Sequence, residues 1–109
     1  MSEEAAATSF EACLEALGHV ERRRLLLSLL NGTSDEDRAV TLDQLDSDAE
    51  DETLKLSMHH VHLPKLEESG FIDANRQEHF VTRGPRFDEI RPLLELLDDN
   101  RGQLPSGWV

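Results

Sequence analysis

The strongest constraint on the fold of this chain is a leucine-rich segment close to its N-terminus. Between residues 25 and 30, five of the six positions are leucine. A helix that is apolar around most of its circumference is stable in water only when other elements cover most of its surface. The sequence therefore predicts a central core helix over residues 19–30, which ends at Asn31 and Gly32, a common pair after a last helical turn.

Short helices are predicted on both sides of the core helix. On the N-terminal side, apolar side chains recur every three or four residues and predict a helix that ends at Gly18; they are Phe10, Cys13, Leu14 and Leu17. On the C-terminal side, Thr41 is a favourable N-cap for a helix of one or two turns over residues 42–45. We expect Leu42 and Leu45 of this second helix to face the core.

A longer helical pattern extends from Thr53 to Ser69. Its apolar residues form two stripes, one through Leu54, Met58 and Val61 and the other through Leu56, Leu63 and Leu66. Two stripes predict two buried contacts, one with the core and one with a partner. Pro64 lies inside the pattern, where it lacks an N–H and crowds the carbonyl of His60. The helix must therefore kink at Pro64 or restart there.

The C-terminal half of the pattern predicts a hairpin and a final helix. Residues 71–73 and 79–82 flank the polar turn 74–77, which is the arrangement of a β-hairpin. In the final helix, apolar residues spaced 3, 4 and 3 apart form a stripe typical of a coiled-coil seam: Phe87, Ile90, Leu94 and Leu97. Because a proline fits best in a first turn, Pro92 places the start of this helix near residues 88–89.

The length of 109 residues allows one compact domain with a single core. We predict this domain over residues 9–98, between an N-terminal tail (1–8) and an irregular C-terminal tail (99–109). The predicted core contains Leu25, Leu26, Leu29, Leu45, Leu63, Leu66 and Ile72. No apolar run approaches the roughly 18 residues that span a bilayer, and the acidic N-terminus is unlike a signal segment. We therefore expect a cytoplasmic protein without a membrane partner.

The charge balance predicts the salt concentration in which the protein works. The chain has 23 acidic and 11 basic residues, a net charge of −12, and only Lys55 and Lys65 are lysines. A high net charge keeps a protein soluble and is used in this way by halophiles. An ordinary acidic protein from a mesophile is the alternative. We favour a halophilic protein, in which concentrated salt screens exposed charges over a few ångströms.

The order of elements and two sequence stretches resemble a winged helix-turn-helix domain of the α+β class. Residues 16–30 resemble the opening helix of repressors of the arsenical-resistance (ArsR) type. The stretch VHLPKLEESGFI, residues 61–72, resembles the x-H-L-x-x-L-x-x-x-G-L-V pattern that ends their recognition helix and enters the wing. Residues 60–66 are similar to a family of small halophilic-archaeal domains of unknown function. The resemblance covers residues 10–98.

The resemblance implies a DNA-binding transcriptional regulator with double-stranded DNA as its partner. The residues expected to approach the bases are Lys55, Ser57, His59, His60 and Lys65, with Arg76 at the wing tip. One departure from working repressors is electrostatic, because residues 53–70 contribute no net charge and follow the acidic loop 46–52. Phosphate contacts supply most non-specific DNA affinity. The alternative is therefore a winged helix that has become a protein-interaction or dimerisation module without DNA binding.

The seam on the final helix predicts how two copies could pair. Helix-turn-helix proteins of this class bind a two-fold DNA site as dimers. In such repressors the terminal helices often form the dimer contact. We therefore expect a homodimer with Phe87, Ile90, Leu94 and Leu97 at its interface. The alternative is that this face covers the domain's own core beside Phe10 and Leu14.

The remaining candidate sites favour structural roles. His59 and His62 share a helix side, but two ligands do not make a metal site, so we expect neither a metal nor another cofactor. Cys13 is predicted to be a small core residue. No grouping of base, nucleophile and pocket indicates an enzyme. The run 22–24 of three arginines could bind phosphate, although we expect Arg24 to fold back onto the acidic loop or a helix end and the other two arginines to be solvated.

Overall fold

The computed structural model describes residues 10–32, 40–41, 52–75, 77–78 and 80–109. Its elements, in chain order, are α1 (Phe10–Ala16), α2 (Val20–Leu30), β1 (Val40–Thr41), α3 (Glu52–Ser57), a π-helical turn (Met58–His62), α4 (Leu63–Glu68), β2 (Ile72–Asn75), β3 (Phe80–Arg83), α5 (Phe87–Asp99) and a 3₁₀ turn (Arg101–Gln103). Helices, an antiparallel hairpin and a C-terminal helix make this the predicted α+β, winged-helix layout. None of the described helices has the length and apolar character required to cross a membrane.

The hairpin is confirmed, and a third strand joins it. β2 and β3 pair antiparallel, with Ala74 opposite Val81. β1 pairs with the other edge of β3, so the strand order is β1-β3-β2. Thr41, predicted to cap a short helix, lies in β1, and residues 42–45 fall outside the described part of the chain. A strand of two residues carries no periodic signal, which explains why the sequence did not predict it.

The predicted core is confirmed where the structure describes it. Leu25, Leu26 and Leu29 of α2 pack with Leu63, Leu66 and Ile72, and the exposed fraction of each is 2% or less. Leu45 lies outside the described residues. The core also contains Cys13, Ala16, Leu27, Met58, Phe71, Val81, Phe87, Ile90 and Leu94. The prediction that α2 would be the central helix is therefore correct.

The interrupted helix of residues 52–68 restarts at Pro64, as its sequence required. The N–H of Leu63 donates to the carbonyl of Met58, five residues earlier, and Pro64 then lies in the first turn of α4. The wider turn changes which side chains face inward. Met58 is buried with Leu63, whereas Val61 is 45% exposed. The predicted stripe through Leu54, Met58 and Val61 is therefore wrong, because a π turn rotates the helix relative to a regular α-helical period.

The junction between α4 and the hairpin is closed by two glycines. Gly70 follows the helix with a φ of 82°, a conformation that side chains disfavour. Its carbonyl accepts the N–H of Arg86 at 2.7 Å. A Cβ at Gly84 would lie 2.5 Å from the Gly70 carbonyl oxygen. This close approach of the two backbones fixes the hairpin against the end of α4.

The apolar face of α5 packs into the core of its own chain. Phe87, Ile90 and Leu94 are at most 2% exposed, and Leu97 is half-buried. The predicted dimer interface is therefore wrong for Phe87, Ile90 and Leu94, because the core of their own chain already covers them. Phe10 and Leu14, expected beside this face, are both exposed. α5 also begins earlier than predicted, so its proline lies in the helix interior.

The C-terminal segment returns to α2. After the 3₁₀ turn, the carbonyl oxygen of Trp108 accepts a hydrogen bond from Nε of Arg23, and Val109 packs against the core. Arg23 also donates to the carbonyl of Leu17, at the end of α1. The segment predicted as an irregular tail is thus attached to the first two helices by one arginine.

The burial of α5 leads to a prediction for Leu94. Leu94→Glu should unfold the protein rather than release a folded monomer, because truncating a buried leucine alone costs roughly 2–5 kcal/mol and the carboxylate adds a desolvation cost. Far-ultraviolet circular dichroism and sedimentation measure the outcome. Leu96→Glu is the matched control, since Leu96 is 60% exposed on the same helix. A folded, monomeric Leu94→Glu variant would restore the intermolecular seam.

Candidate functional site

The candidate DNA-contacting residues lie along the helical segment from α3 to α4. His60 and Lys65 are exposed, whereas Lys55, Ser57 and His59 are half-buried. Arg76 lies outside the described residues. The ammonium of Lys55 lies 3.6 Å from a carboxylate oxygen of Glu52, and that of Lys65 lies 3.7 Å from Glu15. Exposed ion pairs contribute about 0–1 kcal/mol, so both lysines can exchange these partners for other anions.

A buried hydrogen bond joins this helical segment to α2. Nε of Arg22 donates to Nδ1 of His62 at 2.9 Å, and the exposed fractions of the two residues are 4% and 5%. A second guanidinium nitrogen, Nη1, donates to the carbonyl oxygen of Glu15 at 2.8 Å. A buried arginine is tolerated only when its donors are satisfied. Arg22 therefore fixes the angle at which the segment 52–68 leaves the core.

The structure corrects the prediction for the arginine run of α2. Arg22, expected to be solvated, is buried, and Arg23, expected to be solvated, is half-buried and bonds the two backbone carbonyls described above. Arg24 is exposed, and the acidic loop expected beside it lies outside the described residues except for Glu52. Only Arg22 lies on the buried side of α2. Two of the three arginines are thus structural, which leaves no three-residue phosphate patch. The spacing does carry a signal, because Arg22 lies three, four and seven positions before Leu25, Leu26 and Leu29 and therefore shares their face of the helix.

Burial and neighbouring charges set the protonation state of His62. Burial lowers its pKa from 6.5, and the positive charge of Arg22 and the nearby His19 lower it further, while Glu21 acts in the opposite direction. Because Nδ1 accepts a hydrogen bond from Arg22, the neutral ring carries its proton on Nε2. His62 is therefore held as a neutral acceptor at the junction of α2 and the π turn.

Two residues at the start of α2 approach His62. The rings of His19 and His62 are 5.0 Å apart between centroids, with an angle of 50° between their planes. One potential metal-ligating atom each from His19, Glu21 and His62 lies within 4.8 Å of the other two. The sequence instead placed His59 and His62 on one side of a helix and favoured structural roles for both. His62 is 43 positions from His19 and 41 from Glu21, and residues so far apart have no local spacing that could indicate this group.

The hairpin is anchored to α2 by Arg83. Its guanidinium donates to the carbonyl oxygens of Leu29 and Leu30, both at 2.9 Å, and lies 4.8 Å from the centroid of the Phe87 ring. These carbonyls belong to the last turn of α2, where no helical N–H remains to bond them. Arg83 therefore caps the core helix and positions the wing.

The other arginines near the wing lie beside carboxylates. Arg86 pairs with Glu89 at 3.9 Å, and Arg91 contacts Asp88 and Glu95 at 3.5 and 3.4 Å. The partners in each pair are three or four residues apart, and side chains at this spacing on a helix interact weakly. These arginines consequently add little unbalanced positive charge to the wing.

Cys13 has the properties of a structural thiol. It is buried and not part of a disulfide. Burial raises the pKa of its thiol, and the negative charge of Glu89 raises it further. Since the thiolate is the reactive form, Cys13 is a poor nucleophile, which agrees with its predicted place in the core.

No protein-family model, curated protein or solved structure matches the chain. The ArsR resemblance therefore stays a prediction from the sequence.

The lowered pKa of His62 predicts an acid-sensitive fold. The unfolded chain binds a proton to this histidine more readily than the folded protein, so stability is complete above pH 6.5 and falls as the pH falls through the lowered pKa. Denaturant unfolding between pH 7.5 and about 4.5, in buffer with EDTA, measures this loss.

His62→Gln isolates the histidine from the carboxylates that titrate in the same range. Its amide oxygen can still accept from Arg22, but it does not titrate, so the loss of stability below pH 6.5 should be smaller than in the wild type. His60→Ala, at an exposed position, should retain the full loss. Equal pH dependence in the wild type and His62→Gln would contradict the assigned role.

Proposed function

We propose that the protein is a DNA-binding transcriptional regulator that presents the helical segment 52–68 to the major groove. The observation that carries this proposal is the division of the segment into two sides. Met58, His62 and Leu63 are buried against the core, while His60 and Lys65 are exposed on the segment. A helix supported from one side and open on the other is what a groove of roughly 12 Å admits.

The wing supports the same proposal. The hairpin follows α4 directly, and the Gly70–Gly84 contact and the Arg83 cap hold it to the body of the domain. In winged helices the hairpin contacts DNA beside the recognition helix, where basic side chains bind phosphate or the minor groove. Arg76, at the predicted wing tip, is the residue we assign to this contact.

The charge of the segment predicts an unusual dependence on salt. Lys55 and Lys65 are its only basic residues apart from histidine, against Glu52, Glu67 and Glu68. Each phosphate contact contributes a slope of about −0.9 to the logarithm of affinity against the logarithm of salt concentration. With about two such contacts the slope is about −2, which permits binding in concentrated salt. Specificity then depends on base contacts from Ser57, His59 and His60.

The test is fluorescence anisotropy with double-stranded DNA from the promoter region beside its own gene, in molar KCl. Lys55→Ala should weaken binding uniformly and reduce the salt slope by about 1. His60→Ala should weaken binding to the specific site by about 1–3 kcal/mol if it contacts a base.

Arg101→Ala is the matched control, because it removes one positive charge from the 3₁₀ turn after α5, outside the segment 52–68. It should leave the affinity and the slope unchanged. Equal effects of Lys55→Ala and Arg101→Ala would show that only net charge matters, and the proposed face would then be wrong.

A second candidate function is dimerisation without DNA binding, and one observation favours it. Leu56 and Val61 are 55% and 45% exposed on the same segment that carries the candidate DNA contacts. Exposed apolar side chains rimmed by polar residues mark interaction surfaces. If this function is correct, Leu56→Asp together with Val61→Asp converts a dimer into a folded monomer in sedimentation, whereas Leu96→Asp does not. A wild-type monomer at micromolar concentration in high salt would contradict it.

A further inference from the structure

We propose that His19, Glu21 and His62 form a binding site for one divalent transition-metal ion. The proposal does not depend on the function proposed above. It rests on the approach of two imidazoles and one carboxylate, whose potential ligating atoms all lie within 4.8 Å of one another. Two histidines and a carboxylate are an established ligand set for Zn²⁺ and for other transition metals, with solvent completing the coordination.

The backbone presents these three side chains from two elements. His19 is the extended residue just before α2, with φ −130° and ψ 140°, and Glu21 lies in the first turn of that helix. His62 ends the π turn and is held in place by burial. Ligand distances of about 2.0–2.2 Å require the three atoms to approach one another further. His19 is exposed and Glu21 half-buried, so these two can move toward the fixed His62.

The hydrogen bond from Arg22 decides how the ion can bind. Nε of Arg22 donates to Nδ1 of His62, so the neutral ring has its proton on Nε2. An ion at Nδ1 would replace the Arg22 donor directly. An ion at Nε2 would require the proton to move to Nδ1, where it would face the Arg22 N–H. In either case metal binding and the Arg22–His62 hydrogen bond exclude each other.

The ligand types select the kind of ion, and local charge sets how tightly it binds. The guanidinium of Arg22 and the N-terminus of α2 both oppose a nearby cation, while the carboxylate of Glu21 favours one. Magnesium and calcium prefer oxygen ligands and would gain little from two imidazoles. Zn²⁺, Ni²⁺ and Co²⁺ bind imidazole well. The site should therefore distinguish these ions from Mg²⁺, with an affinity reduced by the competition with Arg22.

The experiment titrates the full-length protein with ZnCl₂ by calorimetry and with CoCl₂ by visible absorption, both in excess MgCl₂. The wild type should bind one equivalent. His19→Ala and Glu21→Gln should each weaken binding at least tenfold, since even the loss of an outer-shell partner costs 10- to 100-fold. Both positions are at least partly exposed, so these variants should fold, and circular dichroism verifies this. His62 is left intact because its replacement could affect folding.

His60→Ala is the matched control, because it removes an exposed imidazole outside the group. It should bind Zn²⁺ as the wild type does. A loss in His60→Ala as large as in His19→Ala would overturn the proposal, as would wild-type binding no tighter than that of His19→Ala. NMR supplies a separate readout, since Zn²⁺ should shift the resonances of the Arg22 Nε–H and the His62 ring. Binding that leaves both unchanged would exclude His62 as a ligand.

Discussion

The fold depends on the need to cover α2 on nearly every side. Its leucines are stable only inside a shell made by other elements, and the structure builds that shell from α5, β1 and the π turn. Apolar contact alone is not directional. Direction comes from three arginines, which bond α2 to the segment 52–68 (Arg22), to the C-terminal residues (Arg23) and to the wing (Arg83).

The hydrogen bond between Arg22 and His62 connects the core helix to the exposed segment. It lies between the most buried helix and the segment proposed to meet DNA, and both of its members are almost inaccessible to water. Buried polar contacts are stable when fully satisfied and costly when one partner is lost. A proton or a metal ion at His62 removes the same acceptor from Arg22. The angle of the exposed segment is therefore tied to the chemistry of one imidazole ring.

The positions of the basic residues determine the charge of the exposed segment. Among the described residues, most of the arginines have partners within the chain, in the cap on α2, the buried pair and the ion pairs along α5. What remains on the segment 52–68 is a nearly neutral surface of histidine, lysine and exposed aliphatic side chains. Such a surface favours direct contacts over long-range attraction, and in concentrated salt long-range attraction is screened in any case.

Local sequence patterns were sufficient for the helices, the hairpin and most of the core. The leucines of α2 and the two segments around residues 74–77 have periodicities that depend only on near neighbours. Pro64 interrupts its helix whatever the surrounding tertiary structure, because it lacks an N–H. Tertiary packing decided the rest. It gave Arg22 its partner His62, turned Phe87, Ile90 and Leu94 inward, paired β1 with β3, and brought His19 and Glu21 to His62. These outcomes depend on contacts between residues far apart in the chain, and a pattern of near neighbours contains no information about which distant surface a side chain will meet.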